Sequence, residues 1–263
     1  MTGRIDMLVI DDEPVLLSAI RKICTPEGLT VDEASTAEQG LAKLAENRYR
    51  LVLSDLMLPG AGGIGVLEAA RREHPEMPVV MITGYATLNR AVECFRNGAF
   101  DLIPKPFDVA ELLAVVHRAI GFSELEESQR GEVSLESFAC ERRFTDGEPA
   151  SLYALGQHAW VSVESNGSTR IGVGESFRTI QAEFEAVNLP AIADETLQGN
   201  ECARFTTTDG LVHRVWAPLS GKVVEVNHAW ERDCPAAETI SDRWLFGSVP
   251  SDLENELQKL TRR

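Results

Sequence analysis

Between residues 5 and 120 short apolar runs alternate with stretches of helical periodicity. MLVID (7–11), LTVDEA (29–34), YRLVLSD (49–55), MPVVMIT (77–83) and FDLIPK (100–105) read as five strands. The near-continuous apolar runs LVLS and VVMIT suit strands covered on both faces. A helix opens at Pro14 and runs to Glu27, and a second follows a Ser35-Thr36 cap with Leu41, Leu44 and Ala45 on its apolar stripe. Three more helices fall near 63–74, 87–97 and 108–120. Strands and helices alternating at these lengths predict βαβ crossovers and a doubly wound α/β domain around a five-stranded parallel sheet.

The texture changes at Phe122. SELEESQRGEVSLESFACERRFTDGEP (123–149) is polar and charged without a sustained apolar period, and reads as a linker over 123–150 that begins as an extension of the last helix. From residue 151 short strands and turn signals take over: HAWVSVE, Asn166-Gly167, TRIGVG, then FTTTDGLVHRVWAPLSGKVVEVN. The last stretch reads as two strands around a two-residue Asp209-Gly210 hairpin turn, with a second turn at Ser220-Gly221. A helical SDLENELQKL closes a mostly β domain over 151–263.

At 263 residues the chain can hold two cores. The net charge is −16, and residues 1–122 carry 17 Asp and Glu against 12 Lys and Arg, leaving 24 and 13 for the rest. The C-terminal half is thus the more acidic, opposite to the positive charge that nucleic-acid binding concentrates. No run approaches the 18 or so apolar residues of a membrane span, and MTGRIDMLVIDDEP has too short an apolar stretch for a signal peptide. The expectation is a cytoplasmic protein that binds neither membrane nor nucleic acid. Five cysteines (Cys24, Cys94, Cys140, Cys202, Cys234) are odd in number and lack a C-x-x-C pair, so they read as free thiols; the five histidines are dispersed.

In an open α/β sheet, ligands gather at the carboxyl ends of the strands. Asp11 and Asp12 end the first strand, Asp55 the third, Thr83 the fourth and Lys105 the fifth. Taken singly, Asp12 with Pro14 reads as a helix start, Thr83 as a strand end and Lys105 as a surface charge. Together they bring three carboxylates to one edge, which calls for a cation, and hard oxygen ligands suit Mg2+.

The motifs VIDDEP, LVLSDLMLPGAGGIGVL, MITGYA and GAFDLIPKPF, in this order over 5–120, resemble the receiver domain of two-component response regulators, a flavodoxin-like fold. The resemblance implies that Asp55 is the phosphoacceptor. It implies Mg2+ held by Asp11, Asp12, Asp55 and the backbone carbonyl of Met57, with Thr83 and Lys105 binding the phosphoryl group, and a cis peptide before Pro106. It further implies a sensor histidine kinase or phosphotransfer protein as partner, a homodimer through the face 87–120, and self-catalysed phosphoryl transfer and dephosphorylation without metabolic enzyme activity. Where many receivers carry an aromatic residue three positions before the lysine, this chain has Leu102, and neither Tyr85 nor Phe100 can simply be assumed to replace it.

HAWVSVE, TRIGVGESFRTIQAEFEAVNLP, VWAPLSGKVVEVN and WLFGSVPSDLENEL, from Gly156 to Leu257, resemble the H-protein of the glycine cleavage system, a barrel-sandwich hybrid that carries lipoate on a hairpin lysine. That position falls here on Asp209 or Gly210, and residues 191–221 contain no lysine. Lys222 reads as a solvent-facing strand residue, Cys202 and His213 as packed residues, and the glycines of GVGES as turn residues rather than a phosphate loop. The expectation is therefore a domain without lipoate that binds an unidentified protein under receiver control. The alternatives are a phosphate sink with a structural C-terminal domain, a kinase-controlled component of lipoate and glycine-cleavage metabolism, and a transcription factor. Charge and the absence of a basic helix pair weigh against the last.

Overall fold

The computed structural model describes residues 5–60, 62–84, 88–129, 151–180, 182–231 and 244–262. Tyr85, Cys140, Cys234 and the 130–150 part of the expected linker lie outside these residues. The chain forms two compact units, Met1–Ala86 with Asn97–Gln129, and Thr87–Arg96 with Arg130–Arg263.

The first unit is built on β1 (Ile5–Ile10), β2 (Val31–Ala34), β3 (Tyr49–Asp55), β4 (Val79–Thr83) and β5 (Asp101–Pro104). All neighbours are parallel, in the order β2-β1-β3-β4-β5, the flavodoxin-like doubly wound order. Helices α1 (Pro14–Cys24), α2 (Ala37–Glu46), α3 (Gly62–Glu73) and α5 (Val109–Gln129) belong to this unit, while α4 (Leu88–Arg96) groups with the second. Covered on both faces, the central strands bury every residue of Leu51–Asp55 and Val79–Thr83.

Local chemistry sets the helix ends. Pro14 fills the first position of α1, whose stripe Leu17, Ile20 and Cys24 is buried. The Thr36 hydroxyl caps α2 by accepting from the Gln39 N–H at 3.2 Å, while the Gln39 carboxamide accepts from the Ser35 N–H at 3.0 Å. α5 runs to Gln129 rather than stopping near 120. Its extension is anchored by the Glu124 carboxylate on Arg50 of β3 and by the Phe122 ring 5.3 Å from that of Phe100. Arg118 of α5 and Asp101 of β5 form an ion pair with side chains only 1% and 2% exposed.

The second unit is antiparallel. A seven-stranded sheet joins β6 (Ser151–Leu155), β7 (Ala159–Val163), β8 (Thr169–Val173), β10 (Glu195–Thr196), β13 (Gly221–Val226), β14 (Trp244–Pro250) and β15 (Thr261–Arg262) in the order β10-β13-β14-β8-β7-β6-β15. A three-stranded sheet joins β9 (Phe184–Asn188), β11 (Glu201–Thr207) and β12 (Val212–Trp216) in the order β12-β11-β9. Val161, Ile171, Phe205, Val215, Leu245 and Phe246 are fully buried in its core. This β-rich arrangement fits a barrel-sandwich domain. The closing helix α6 is short, Leu253–Leu257.

Two turn readings are sharpened. β12 and β13 lie in different sheets, so the Ser220-Gly221 turn is a corner rather than a hairpin. The corner is held by Glu256, which accepts from the Ser220 N–H at 2.7 Å and the Ser220 hydroxyl at 2.6 Å. The β11–β12 hairpin has a three-residue loop, Thr208–Gly210, not a two-residue one. Thr207 and Leu211 flank it, with the Gly210 N–H donating to the Thr207 carbonyl at 2.8 Å and the Thr207 N–H to the Leu211 carbonyl at 3.0 Å. Gly210 takes the left-handed position at φ 83° that follows the turn in such loops.

Candidate functional site

The site of the first unit grows from the strand ends. Asp11 follows the last residue of β1, Asp55 closes β3, Thr83 closes β4, and Lys105 follows β5. Backbone bonds fix the edge: Asp11 N–H to Ala34 O (3.1 Å), Leu56 N–H to Ile82 O (2.8 Å) and Lys105 N–H to Thr83 O (2.7 Å). The peptide between Lys105 and Pro106 is cis. Gly63 opens the floor beneath Asp55, because a Cβ there would lie 2.1 Å from the Asp55 carbonyl oxygen. Only glycine lets the first turn of α3 approach so closely.

Carboxylate oxygens of Asp11, Asp12 and Asp55 lie within 4.8 Å of one another. Asp11 is fully buried, Asp55 is 5% exposed and Asp12 faces solvent. The Lys105 ammonium donates to Asp11 and to Glu13 at 2.9 Å each and to Asp55 at 3.5 Å. The Asp11 carboxylate also accepts from the Glu13 N–H at 2.8 Å, and that of Asp55 from the Met57 N–H at 3.2 Å. Thr83 is fully buried at the same edge, and Leu102, three residues before the lysine, is buried in β5.

Burial pushes the Asp11 carboxyl above the usual carboxylate range, against the pull of Lys105 and the Glu13 N–H. For Lys105 burial works to lower the ammonium, but the hydrogen bonds to Asp11 and Glu13 outweigh it and hold it well above its ordinary value. A lysine so placed remains a fixed positive charge. The three carboxylates present a compact set of hard oxygens, open on the Asp12 side, which matches the donor chemistry of Mg2+. Glu13 is a participant that the sequence reading passed over. Its signal was the third acid of the run Asp11-Asp12-Glu13, which continues past the strand into the mouth of the site.

In the second unit neither lipoyl-position candidate is an amine. Asp209 and Gly210 are exposed at the hairpin, and the Thr207 hydroxyl donates to the Asp209 carboxylate at 2.5 Å, holding it below the usual range. Lys222 is exposed on β13, opposite Glu195 and Val249. Cys202 is buried, and burial drives its thiol far above the ordinary value; His213 is buried as well. Gly174, of the GVGES stretch, packs where a Cβ would lie 2.2 Å from the Gln157 carbonyl oxygen, so it serves a close backbone contact. Among the described residues no helix is long and apolar enough to cross a membrane.

Comparison with known proteins also divides the chain in two, with residues 87–96 falling inside the first match. Residues 7–117 match the model of the response regulator receiver domain, and residues 152–262 that of the glycine cleavage H-protein. The chain is 38% identical over 117 residues to the nitrogen assimilation regulatory protein NtrX of Azorhizobium caulinodans, covering 44% of this chain and 26% of that protein. It is 34% identical over 122 residues to the DNA-binding transcriptional regulator NtrC of Salmonella typhimurium, covering 46% and 26%. The chain thus spans about a quarter of the length of these curated relatives. Among solved structures, the receiver domain of NtrX from Brucella abortus is 38% identical, with 44% of this chain and 98% of that one covered and a TM-score of 0.42. A CheY-like receiver domain protein from Methanospirillum hungatei JF-1 is 34% identical, with 47% and 99% covered and a TM-score of 0.45.

Proposed function

We propose that Asp55 accepts a phosphoryl group from a phosphohistidine of a sensor kinase or phosphotransfer protein, on the premise that residues 7–117 are a response regulator receiver domain, a module of phosphorylation-dependent signalling. The observation that carries this reading is the convergence of Asp11, Asp12, Asp55 and the Lys105 ammonium on one strand edge. A carboxylate oxygen of Asp55 attacks phosphorus in line, the P–N bond to the donor imidazole breaks as the P–O bond forms, and the imidazole retains the electron pair. Asp11, Asp12, Asp55 and the Met57 carbonyl would hold a Mg2+ ion, which when bound supplies positive charge against the phosphoryl oxygens. Lys105 then exchanges its bond to Asp55 for a phosphoryl oxygen, and the Thr83 hydroxyl donates to another. Asp11 and Glu13 keep the ammonium at the mouth of the site until the acyl phosphate forms.

The C-terminal unit is proposed as an output module that recognises a protein and carries no lipoate. An amide to lipoate needs an amine, and the hairpin offers a carboxylate and a glycine. The DNA binding named for the NtrC relative does not carry over on this reading. The C-terminal part of the chain is acidic, and α6, the single α-helix among the described residues after 129, has five residues, too few for a recognition helix. Phosphoryl incorporation from acetyl phosphate with Mg2+, compared between the wild-type chain and Asp55→Asn, tests the first step. Equal labelling of the two removes Asp55 from the role.

A further inference from the structure

Glu13 follows the two acids at the end of β1 but takes no part in the three-carboxylate group of Asp11, Asp12 and Asp55. It nevertheless reaches the same ammonium. Lys105 Nζ has three carboxylate acceptors: Asp11 Oδ2 at 2.9 Å, Glu13 Oε1 at 2.9 Å and Asp55 Oδ2 at 3.5 Å. Two of these belong to the group that matches Mg2+, and one does not. Burial divides them in the same way, since Asp11 and Asp55 are buried while the Glu13 side chain is 63% exposed. Local bonds put Glu13 at this place. Its N–H donates to Asp11 Oδ1 at 2.8 Å, and its carbonyl accepts from the Leu16 and Leu17 N–H groups at 3.0 and 3.2 Å. Its side chain makes no capping bond to α1, so the carboxylate is left for Lys105.

We propose that Glu13 is a positioning residue that holds the Lys105 ammonium at the mouth of the site and so frees Asp11 and Asp55 for a divalent cation. The proposal rests on the reading of Asp55 as phosphoacceptor, and adds to it what sets the site's demand for Mg2+. An ammonium and a metal ion draw on the same carboxylate oxygens, and their like charges repel at this range. A lysine with no other anchor stays on the two buried carboxylates and opposes the incoming cation. With Glu13 in place, the ammonium keeps one charge-assisted hydrogen bond while those to Asp11 and Asp55 give way. Glu13 suits this task because it lies outside the ligand group, so its bond to lysine takes no oxygen from the metal. Its exposure also spares it the desolvation that burial imposes on a charged carboxylate. A neutral carboxamide at the same place holds the ammonium more weakly and returns it to Asp11 and Asp55.

Calorimetric titration of the full, unphosphorylated chain with Mg2+ tests the proposal, on the wild type, Glu13→Gln, Lys105→Met and the double variant. Glu13→Gln keeps the shape of the side chain and the backbone bonds that start α1, so the fold is retained. The loss of Mg2+ affinity on Glu13→Gln is expected to be about fivefold greater with Lys105 present than with methionine in its place. Equal losses in the two backgrounds make Glu13 a neighbouring charge only and overturn the proposal. Phosphoryl incorporation from acetyl phosphate gives the second readout. Glu13→Gln is expected to need about fivefold more Mg2+ for half-maximal labelling, while its rate at saturating Mg2+ stays within about twofold of wild type. A rate that remains depressed at saturating Mg2+ assigns Glu13 to the transfer step and also overturns the proposal. Absent labelling of the wild type overturns the role of Asp55 instead, whereas the calorimetric cycle reads Glu13 and Lys105 without any phosphoryl transfer.

Discussion

Replacing Gly63 by alanine is expected to damage folding and phosphoryl acceptance together. Gly63 donates its N–H to the Leu56 carbonyl at 3.3 Å, pinning the first turn of α3 to the end of β3. An added methyl would lie 2.1 Å from the Asp55 carbonyl oxygen, 2.6 Å from Leu56 Cα and 2.9 Å from the Asp55 carbonyl carbon. Optimal carbon contacts lie at about 3.5–4.0 Å, so α3 or the β3 end has to retreat by roughly 1 Å, and all three atoms are backbone that no rotamer change can relieve. Overpacking of this kind costs about 1–3 kcal/mol, and a displacement of about 1 Å at reacting atoms lowers a rate by about 10²-fold. Urea unfolding measures the first effect, and the initial rate of phosphoryl incorporation from acetyl phosphate the second. Gly84→Ala serves as control, since nothing lies within 4 Å of its added Cβ, and its stability should stay within about 0.5 kcal/mol of wild type. Gly63→Ala matching Gly84→Ala in stability and the wild type in labelling would refute the close-approach argument.

Arg118→Met leaves Asp101 as a buried carboxylate without its ion-pair partner, and a loss of about 3–5 kcal/mol is expected in urea unfolding; the double variant with Asp101→Leu should recover part of it. Asp32 is held below the usual carboxylate range, burial being outweighed by bonds from Lys43, Tyr49 and the Glu33 N–H. Its contribution is thus present above the unfolded pKa of about 3.9 and lost as pH falls through the lower folded value. Asp32→Asn should therefore cost about 1.5 kcal/mol at pH 7, and a gap to wild type that failed to narrow in acid would count against this. Intact mass after coexpression with a lipoyl ligase should show no adduct in residues 191–221 of the wild type. Asp209→Lys, at the exposed loop, is the variant expected to gain one.

The receiver half was legible because its elements advertise themselves twice, by periodicity and by motif. Leu51–Asp55 and Val79–Thr83 are buried on both faces, so their apolar runs are unbroken and their boundaries fall at the chemistry-bearing residues. The site residues were legible for the same reason, since strand ends in a parallel sheet converge. Glu13 was not, because an acid in a capping position reads as a helix start, and only the fold brings the Lys105 ammonium beside it. The extension of α5 beyond 120 was read from the sequence, but not its length, because Glu124 looks like a solvated charge until Arg50, 74 residues earlier, comes beside it. In the C-terminal half the Asp-Gly signal located the hairpin but not its loop length, which Thr207 and Leu211 fix by pairing across it. Nor could the apolar face of α4 say that Phe95 meets His158, because amphipathicity marks a face and not its partner.

The excursion of α4 has a practical consequence for anyone dissecting this protein. One compact unit is assembled from residues 87–96 and from everything after 129, so the two units are interleaved along the chain rather than placed end to end. A single cut in the linker cannot separate them cleanly. A fragment ending near residue 122 would carry Ala91, Val92, Cys94 and Phe95 without the C-terminal part of their unit, and one starting near 150 would lack the helix that supplies a ring beside His158.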